Sequence, residues 1–150
     1  MNPELSATLT PVAQAAEGLR DDWWIIGSAA MALHGLRGLD VADVDLLVSP
    51  DDARRLAARW GVAPRPPSPS PRFRSEVYFQ WSGASMPVDV MGGFQVLSLQ
   101  GWRPLVPRTR TAVGGLFTPE LAEQIDILEL FGRPKDLERA QALRVLIPPL

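Results

Sequence analysis

The hydrophobic pattern of the chain predicts buried strands in its first two thirds. The run Trp23–Ile26 is apolar, aromatic and β-branched, which is typical of a buried strand. Leu46–Val48 is a second apolar run, and Met86–Met91 alternates apolar residues around one acid, as a third strand would. Ala29–His34 has the composition of a helix, and Gly35 supplies its stop. The pattern therefore indicates a mixed α/β fold.

Two further helices are predicted on either side of these strands. Apolar residues recur at helical spacing in Pro3–Leu19, where Pro11 predicts a break or a late start. These apolar positions are Leu5, Leu9, Val12 and Ala16. Ser49–Asp52 is a helix-start signal for Ala53–Trp60, and Gly61 ends that helix. We expect both helices to pack on the sheet.

The last third of the chain predicts a helical hairpin. Thr118 is predicted as the N-cap of a helix that runs to Gly132. A second helix is expected from Pro134 to Pro148. Its apolar positions are Leu137, Ala140, Leu143 and Ile147. The predicted architecture is therefore an α/β (α+β) fold with a short mixed sheet, helices packed on it and a C-terminal helical hairpin.

A proline-rich stretch interrupts this pattern between the second and third strands. Pro64–Pro71 can be neither helix nor central strand, so it is a loop. We interpret it as a stiff connector, with a lid or a ligand for another domain as alternatives. The strand Glu76–Trp81 follows, and Gly92–Gly93 predicts a hairpin turn into Phe94–Leu97.

Composition limits the classes of function. A chain of 150 residues, 46% hydrophobic and 21% charged, suggests one globular domain over residues 1–150. No apolar run reaches the roughly 20 residues of a membrane span, so no membrane partner is expected. The formal net charge of −2 argues against a broad nucleic-acid surface. Thiol chemistry is excluded because the chain has no cysteine, and the cytoplasm is the expected location.

Asp43 and Asp45 form the most unusual polar pair in the sequence. They stand two residues apart beside an apolar run, so on a strand both carboxylates emerge on one face. Two like charges this close repel each other. A divalent cation such as Mg²⁺ relieves that repulsion and prefers oxygen ligands. The pair therefore predicts a metal site.

A second candidate site lies where the first strand turns into a helix. Gly27 allows a close approach of backbone or ligand, and Ser28 is predicted to cap the helix. Free N–H groups in the first turn of that helix would favour an anion. We expect this turn and the carboxylate pair to lie at adjacent strand ends.

These residues resemble a known family. Gly27 and Ser28, followed by fourteen residues and then Asp43-Val44-Asp45, resemble the signature of the nucleotidyltransferase fold of the DNA polymerase β superfamily. Ala32–Gly35, with Arg37 after it, is similar to the small stand-alone bacterial nucleotidyltransferases, which include toxin-like abortive-infection relatives.

The resemblance implies roles for further residues. Asp89, an isolated acid in an apolar strand, matches the third carboxylate, which helps to activate the acceptor. Lys135, at the start of the last helix, matches a lysine that points toward the catalytic side. The implied metal ligands are Asp43, Asp45 and Asp89, for Mg²⁺ or Mn²⁺. The expected nucleotide contacts are Gly27, Ser28, Arg37 and Arg74.

The resemblance implies transfer of a nucleoside monophosphate from a nucleoside triphosphate to an acceptor hydroxyl, with release of pyrophosphate. The acceptor is open among small molecules, RNA and protein, and a homo-oligomer is compatible with the sequence. One alternative is a non-catalytic nucleotide-binding or toxin/antitoxin-type interaction protein, because Arg37–Ala42 departs from the family's usual approach to the first carboxylate. Another is a protein-interaction domain that uses the proline loop and the tryptophans.

Overall fold

The computed structural model describes residues 1–149, which contain five helices and nine strands. The helices are α1 (Pro3–Ala16), α2 (Gly27–Leu33), α3 (Pro50–Trp60), α4 (Leu121–Phe131) and α5 (Pro134–Arg144). The strands are β1 (Trp24–Ile26), β2 (Val44–Val48), β3 (Phe73–Arg74), β4 (Val77–Trp81), β5 (Val88–Gly92), β6 (Gln95–Ser98), β7 (Gly101–Pro104), β8 (Thr111–Val113) and β9 (Leu116–Thr118).

A four-stranded mixed sheet forms the centre of the structure, in the order β1-β2-β5-β4. Strands β2 and β5 are parallel, whereas the two outer pairs are antiparallel. The three remaining pairings form a β3-β6-β7 sheet and a β8-β9 ribbon. The predicted strands around Trp24–Ile26, Leu46–Val48 and Val88–Val90 are confirmed, and so is the mixed character of the sheet.

The two faces of the central sheet are covered differently. One face carries the first core, where α1, α2 and α3 pack on fully buried residues such as Leu46, Phe79 and Val90. Burial of a side chain of this size contributes about 1.5–3 kcal/mol to folding. The other face carries the second core, in which Leu47 packs with residues of β6 and α4 such as Val96 and Ile127. This second core covers only part of its face.

Helix α1 runs through Pro11 without a break, so the predicted break or late start is wrong. Asn2 caps the helix by accepting a hydrogen bond from the Glu4 backbone N–H at 2.8 Å. A proline inside a helix costs about 3 kcal/mol. Buried Leu5 and Leu9 before the proline, and Val12 after it, offset that cost by packing on the sheet.

The predicted hairpin at Gly92–Gly93 is also wrong, because β5 and β6 belong to different sheets. Both glycines are needed for another reason. A Cβ on Gly92 would lie 2.6 Å from the Cβ of Ala53, so this glycine lets α3 approach the sheet closely. Gly93, at φ 67°, donates a hydrogen bond to the Val48 carbonyl at 3.2 Å and directs the chain away from the central sheet.

The C-terminal helical hairpin is confirmed, with two corrections to its ends. Glu120, not Thr118, is the N-cap of α4, since Thr118 is fully buried at the end of β9. The Thr118 hydroxyl lies 2.6 Å from Nε2 of His34, which ties α2 to β9. Helix α5 ends at Arg144, so Ile147 lies beyond it, and Leu137 is 49% exposed.

Helix α3 ends at Trp60 as the sequence predicted, but it begins at Pro50, within the predicted start signal, and not at Ala53. Ser49 caps it by accepting a hydrogen bond from the Asp52 backbone N–H at 3.2 Å, and Gly61 ends it at φ 66°.

Within residues 1–149, no helix combines the length and the apolar composition that crossing a membrane requires.

Asp52 connects α3 to the segment between α1 and β1. Its buried carboxylate accepts hydrogen bonds from the backbone N–H groups of Arg20, at 3.1 Å, and Asp21, at 2.9 Å. Arg55 donates a third at 2.7 Å. Burial alone would raise the pKa of Asp52, but these donors outweigh it and hold the pKa below its ordinary value.

We predict that Asp52→Asn lowers the free energy of unfolding by about 1–3 kcal/mol, because an amide cannot accept all three hydrogen bonds. The lowered pKa means that this contribution is complete above the ordinary value of 3.8 and is lost as pH falls through the folded value. Thermal unfolding at about pH 7 and about pH 3 should therefore show a difference between wild type and variant that shrinks in acid.

Asp51→Asn is the matched control, since Asp51 is exposed in the same helical turn and forms an exposed ion pair with Arg54. It should change stability by less than about 1 kcal/mol. Equal losses in the two variants would contradict the role assigned to Asp52.

Candidate active site

Three carboxylates converge at one end of the central sheet. Asp45 and Asp89 lie directly opposite each other in the parallel pair of β2 and β5, and Asp43 stands immediately before β2. One oxygen from each carboxylate lies within 4.8 Å of the other two. The structure therefore brings together all three residues that the sequence proposed as metal ligands.

The strand register explains why these side chains share an open face. Asp45 pairs with Ile26 of β1 on one side and with Asp89 of β5 on the other. Paired residues project to the same face, so Ile26, Asp45 and Asp89 all point to the face of the second core. Further along that face Leu47 is buried beneath the second core. The carboxylates lie where this cover stops, and each of the two strand acids is only partly buried.

The electrostatics of the cluster disfavour three negative charges. Burial, followed by the charges of Asp43 and Asp89, raises the pKa of Asp45 to about 8. Burial and the charge of Asp89 also raise the pKa of Asp43. Lys135 acts in the opposite direction on both groups, although it does not cancel the shift. The folded chain thus holds carboxylates in a place where a cation would stabilise them.

This donor set fits a hard divalent cation. Carboxylate oxygens are the ligands that Mg²⁺ and Mn²⁺ prefer, and three of them surround a common point. The acidic cluster contains no histidine or cysteine ligand that would favour a softer metal.

Two residues of β4 complete the cluster, and sequence reasoning missed them. The Tyr78 hydroxyl donates to Oδ1 of Asp89 at 2.8 Å, and the Gln80 side-chain amide donates to the same oxygen at 3.0 Å. Burial, then the hydrogen bond to Asp89, raises the pKa of Tyr78 to about 12. The available signal was the alternation of these two polar residues with Val77 and Phe79 in a strand.

Gly27 lies against the carboxylate pair. It has φ +72°, and a Cβ at this position would lie 2.7 Å from Oδ2 of Asp45. The turn from β1 into α2 is therefore as the sequence predicted, and it adjoins Asp45. The predicted cap is wrong: Ile26 occupies the N-cap without a side-chain hydrogen bond, and Ser28 is buried inside the helix.

The start of α5 contributes positive charge beside the carboxylates. Lys135 is exposed in the first turn, and its charge reaches both Asp43 and Asp45. Arg133 precedes it and is fixed by Asp136, whose carboxylate accepts from the arginine Nε at 2.6 Å. The Lys135 ammonium group thus lies near Asp43 and Asp45.

A cleft of about 290 Å³ opens beside Asp45. Its apolar wall consists of Ile26, Phe73, Met91, Phe94 and Phe131. Arg74, Arg133 and Tyr78 supply its polar groups, while Pro67 and Ser70 of the proline loop close one side. The loop therefore borders the candidate site, a position compatible with either a connector or a lid.

The two remaining arginines predicted near a nucleotide are placed differently from each other. Arg74 stacks on Trp102, with 4.3 Å from its guanidinium carbon to the ring centroid, and donates to Oε1 of Gln95. Arg37 is exposed and lines a different cleft with Leu36 and Leu39. The structure brings Arg74 to the cleft beside Asp45 and leaves Arg37 outside it.

Comparison with known proteins gives one informative result, and it concerns the fold. No protein-family model matches the sequence, and no curated protein matches it either. The structure is similar to the crystal structure of a protein from Thermotoga maritima that is provisionally described as a nucleotidyltransferase. The two share 20% identity and superpose with a TM-score of 0.75 over 97% of this chain and 93% of the other.

The chain has the nucleotidyltransferase fold. The fold predicted from the sequence is therefore confirmed, including the short mixed sheet with helices packed on it. The likeness extends over nearly the whole chain, so it includes the C-terminal helical hairpin that carries Lys135.

We predict that Gly27→Ala destabilises the protein more than Gly38→Ala. Both glycines have nearly the same positive φ, 72° and 74°, so each alanine incurs a similar backbone strain of about 1–2 kcal/mol. Only the alanine at 27 also meets the carboxylate of Asp45, since nothing lies within 4 Å of a Cβ at 38. Thermal unfolding of the two variants measures the difference.

A double-mutant cycle tests the cause of the extra loss. In an Asp45→Ala background the excess cost of Gly27→Ala should disappear, because the contact has been removed. An excess that persists there would show that another contact is responsible.

Proposed function

We propose that the protein is a metal-dependent nucleotidyltransferase, which moves a nucleoside monophosphate from a nucleoside triphosphate to an acceptor hydroxyl and releases pyrophosphate. The observation that carries this proposal is the convergence of Asp43, Asp45 and Asp89 at the open end of the sheet in this fold.

In this proposal the three acids hold Mg²⁺ or Mn²⁺. A bound divalent cation neutralises charge that develops on the transferred phosphoryl group. Asp43 and Asp45 would hold the cation that takes the phosphates of the nucleotide. Asp89 accepts the proton of the acceptor hydroxyl as it attacks the α-phosphorus, and Lys135 stabilises the negative charge of the phosphates.

The nucleotide contacts follow from the same arrangement. The phosphates approach the turn at Gly27 and Ser28, where the absence of a Cβ lets the Asp45 carboxylate lie against the backbone. Arg74 faces the cleft with no carboxylate partner among the described residues, so its charge is available to a phosphate. Arg37 remains a prediction from the sequence, since it lines another cleft.

The proposal also covers the domain organisation, the location, the relatives and the acceptor of the protein. We propose that residues 1–150 form one nucleotidyltransferase domain and that the protein acts in the cytoplasm, with the small stand-alone bacterial enzymes as its relatives. The acceptor is a small molecule, an RNA or a protein, and a homo-oligomer is compatible with the proposal. The net charge of −2 disfavours a long RNA contact.

A non-catalytic nucleotide-binding or toxin/antitoxin-type function is the second candidate. The observation that favours it is the segment before Asp43, where the sequence departs from the nucleotidyltransferase pattern and Arg37 lines a different cleft. This candidate keeps metal-dependent nucleotide binding and lacks transfer.

We expect a nucleoside triphosphate with Mg²⁺ to raise the melting temperature of the protein, because a ligand of the folded state stabilises it by mass action. A concentration of about 100 times Kd corresponds to about 2.7 kcal/mol. Asp43→Asn with Asp45→Asn should abolish the metal-dependent part. Without metal, near neutral pH, this double variant should be more stable than wild type. Asp45 is ionised in the unfolded chain, and its raised pKa means that it must take up a proton on folding, at a cost in free energy that asparagine avoids.

The control is the exposed pair Asp40→Asn with Asp51→Asn, which changes the net charge equally. It should respond to nucleotide and Mg²⁺ as wild type does. If the Asp43 and Asp45 variant showed the same shift as wild type, the nucleotide would bind elsewhere.

We expect Asp89→Asn to lose transfer while it retains much of the nucleotide binding, because a general base contributes about 10²–10⁴-fold in rate. The assay uses labelled triphosphates with Mg²⁺ or Mn²⁺ and a cell extract as the pool of acceptors. Wild type that binds nucleotide but labels nothing with any triphosphate would make the non-catalytic function correct.

A further inference from the structure

We propose that Tyr78 and Gln80 are positioning residues, which fix Oδ1 of Asp89 so that its other oxygen, Oδ2, is left for the metal and the acceptor. This inference rests on the proposed function, because it concerns the same carboxylate. It adds a role for two side chains that do not themselves bind metal.

The register of β4 and β5 produces this arrangement. Gln80 stands directly opposite Asp89 in the antiparallel pair, and Tyr78, two residues earlier, lies on the same face. Their donors reach one oxygen from two directions, at 3.0 Å and 2.8 Å. A carboxylate oxygen has about two acceptor positions, so Oδ1 is saturated and only Oδ2 keeps free capacity.

The three carboxylates differ sharply in this respect. Among residues 1–149, no hydroxyl, amide or guanidinium group donates a hydrogen bond to the carboxylate of Asp43 or Asp45, whereas Asp89 receives two. Asp43 hydrogen-bonds only with the carboxyl group of Asp89 among the described residues, and Asp45 has no donor there, so both side chains can turn toward a cation. A carboxylate held by two donors is fixed in direction, which suits a group that must accept a proton from one defined position.

The backbone of Tyr78 is itself fixed by a hydrogen bond. Its backbone carbonyl accepts a hydrogen bond at 2.8 Å from the N–H of Arg65, which lies in the proline loop that borders the cleft. Strand β4 is at the edge of the sheet, so this contact satisfies a backbone group that no further strand pairs. The loop thus fixes the strand that fixes Asp89.

The test compares Tyr78→Phe, Gln80→Met and the double variant, which remove the donors and nearly conserve side-chain size. Ser82→Ala and Gln100→Met are the controls, since both residues are exposed and lie outside the site. The probe that needs no turnover is Mn²⁺ alone, measured by calorimetry. We expect the double variant to bind Mn²⁺ about 10- to 100-fold more weakly, with smaller losses in the single variants and none in the controls.

Where wild type shows transfer, the double variant measured at saturating Mn²⁺ should lower kcat by a similar factor of about 10 to 100 and leave KM for the triphosphate nearly unchanged. A merely structural role would lower the melting temperature without this division between kcat and KM. If the single variants and the double variant bind Mn²⁺ as wild type does, the positioning role is overturned. Mn²⁺ binding in wild type without any transfer would overturn the proposed catalysis alone.

Intact-mass measurement after incubation with a triphosphate and Mn²⁺ gives an independent test. Tyr78 is the only tyrosine of the chain, so a nucleotide adduct at this residue is easily identified. We expect none. A stoichiometric adduct that disappears in Tyr78→Phe would overturn the inference, because Tyr78 would then be an acceptor and not a support for Asp89.

Discussion

Electrostatic repulsion among three carboxylates is the constraint on which the candidate site depends. Two unit charges 4 Å apart repel by about 4 kcal/mol at an effective dielectric constant of 20. The chain tolerates this because Asp45 and Asp89 project from β2 and β5, and Asp43 immediately precedes β2. The strand residues Val44, Leu46 and Val88 are completely buried. The hydrophobic contacts of the strands hold the backbone in place. The two strands therefore cannot move apart to relieve the repulsion between the carboxylates.

The sheet serves this site by having two unequal faces. The first core is continuous across one face, and it supplies the rigidity. On the opposite face the second core ends beyond Leu47, and the start of α5 approaches from the side with its positive charge. Beneath the second core, these strands carry apolar side chains such as Leu47. Past its boundary, the same strands carry acids that retain access to solvent.

How much could be predicted from the sequence depends on how far apart in the chain the interacting residues lie. Asp43 and Asp45 were found because their spacing alone places them on one face, and Gly27 because a strand-to-helix turn is local. The contacts of Tyr78 and Gln80 with Asp89 depend on the register of two strands, which no local pattern specifies. Gly92–Gly93 is ambiguous for a related reason, since two glycines suit a hairpin as well as a close approach of a helix, and only the position of α3 distinguishes them.

The parallel pairing of β2 with β5 also affects how the protein folds. Asp45 and Asp89 are more than forty residues apart in the chain, and the connection between them contains α3, the proline loop, β3 and β4. Closing so long a connection costs conformational entropy before the contacts between β2 and β5 can stabilise the sheet. In the unfolded chain these acids are distant and hardly repel one another. The repulsion arises only as the two strands pair, so a cation that binds at this stage lowers the energy of the assembled sheet and couples metal binding to completion of the fold.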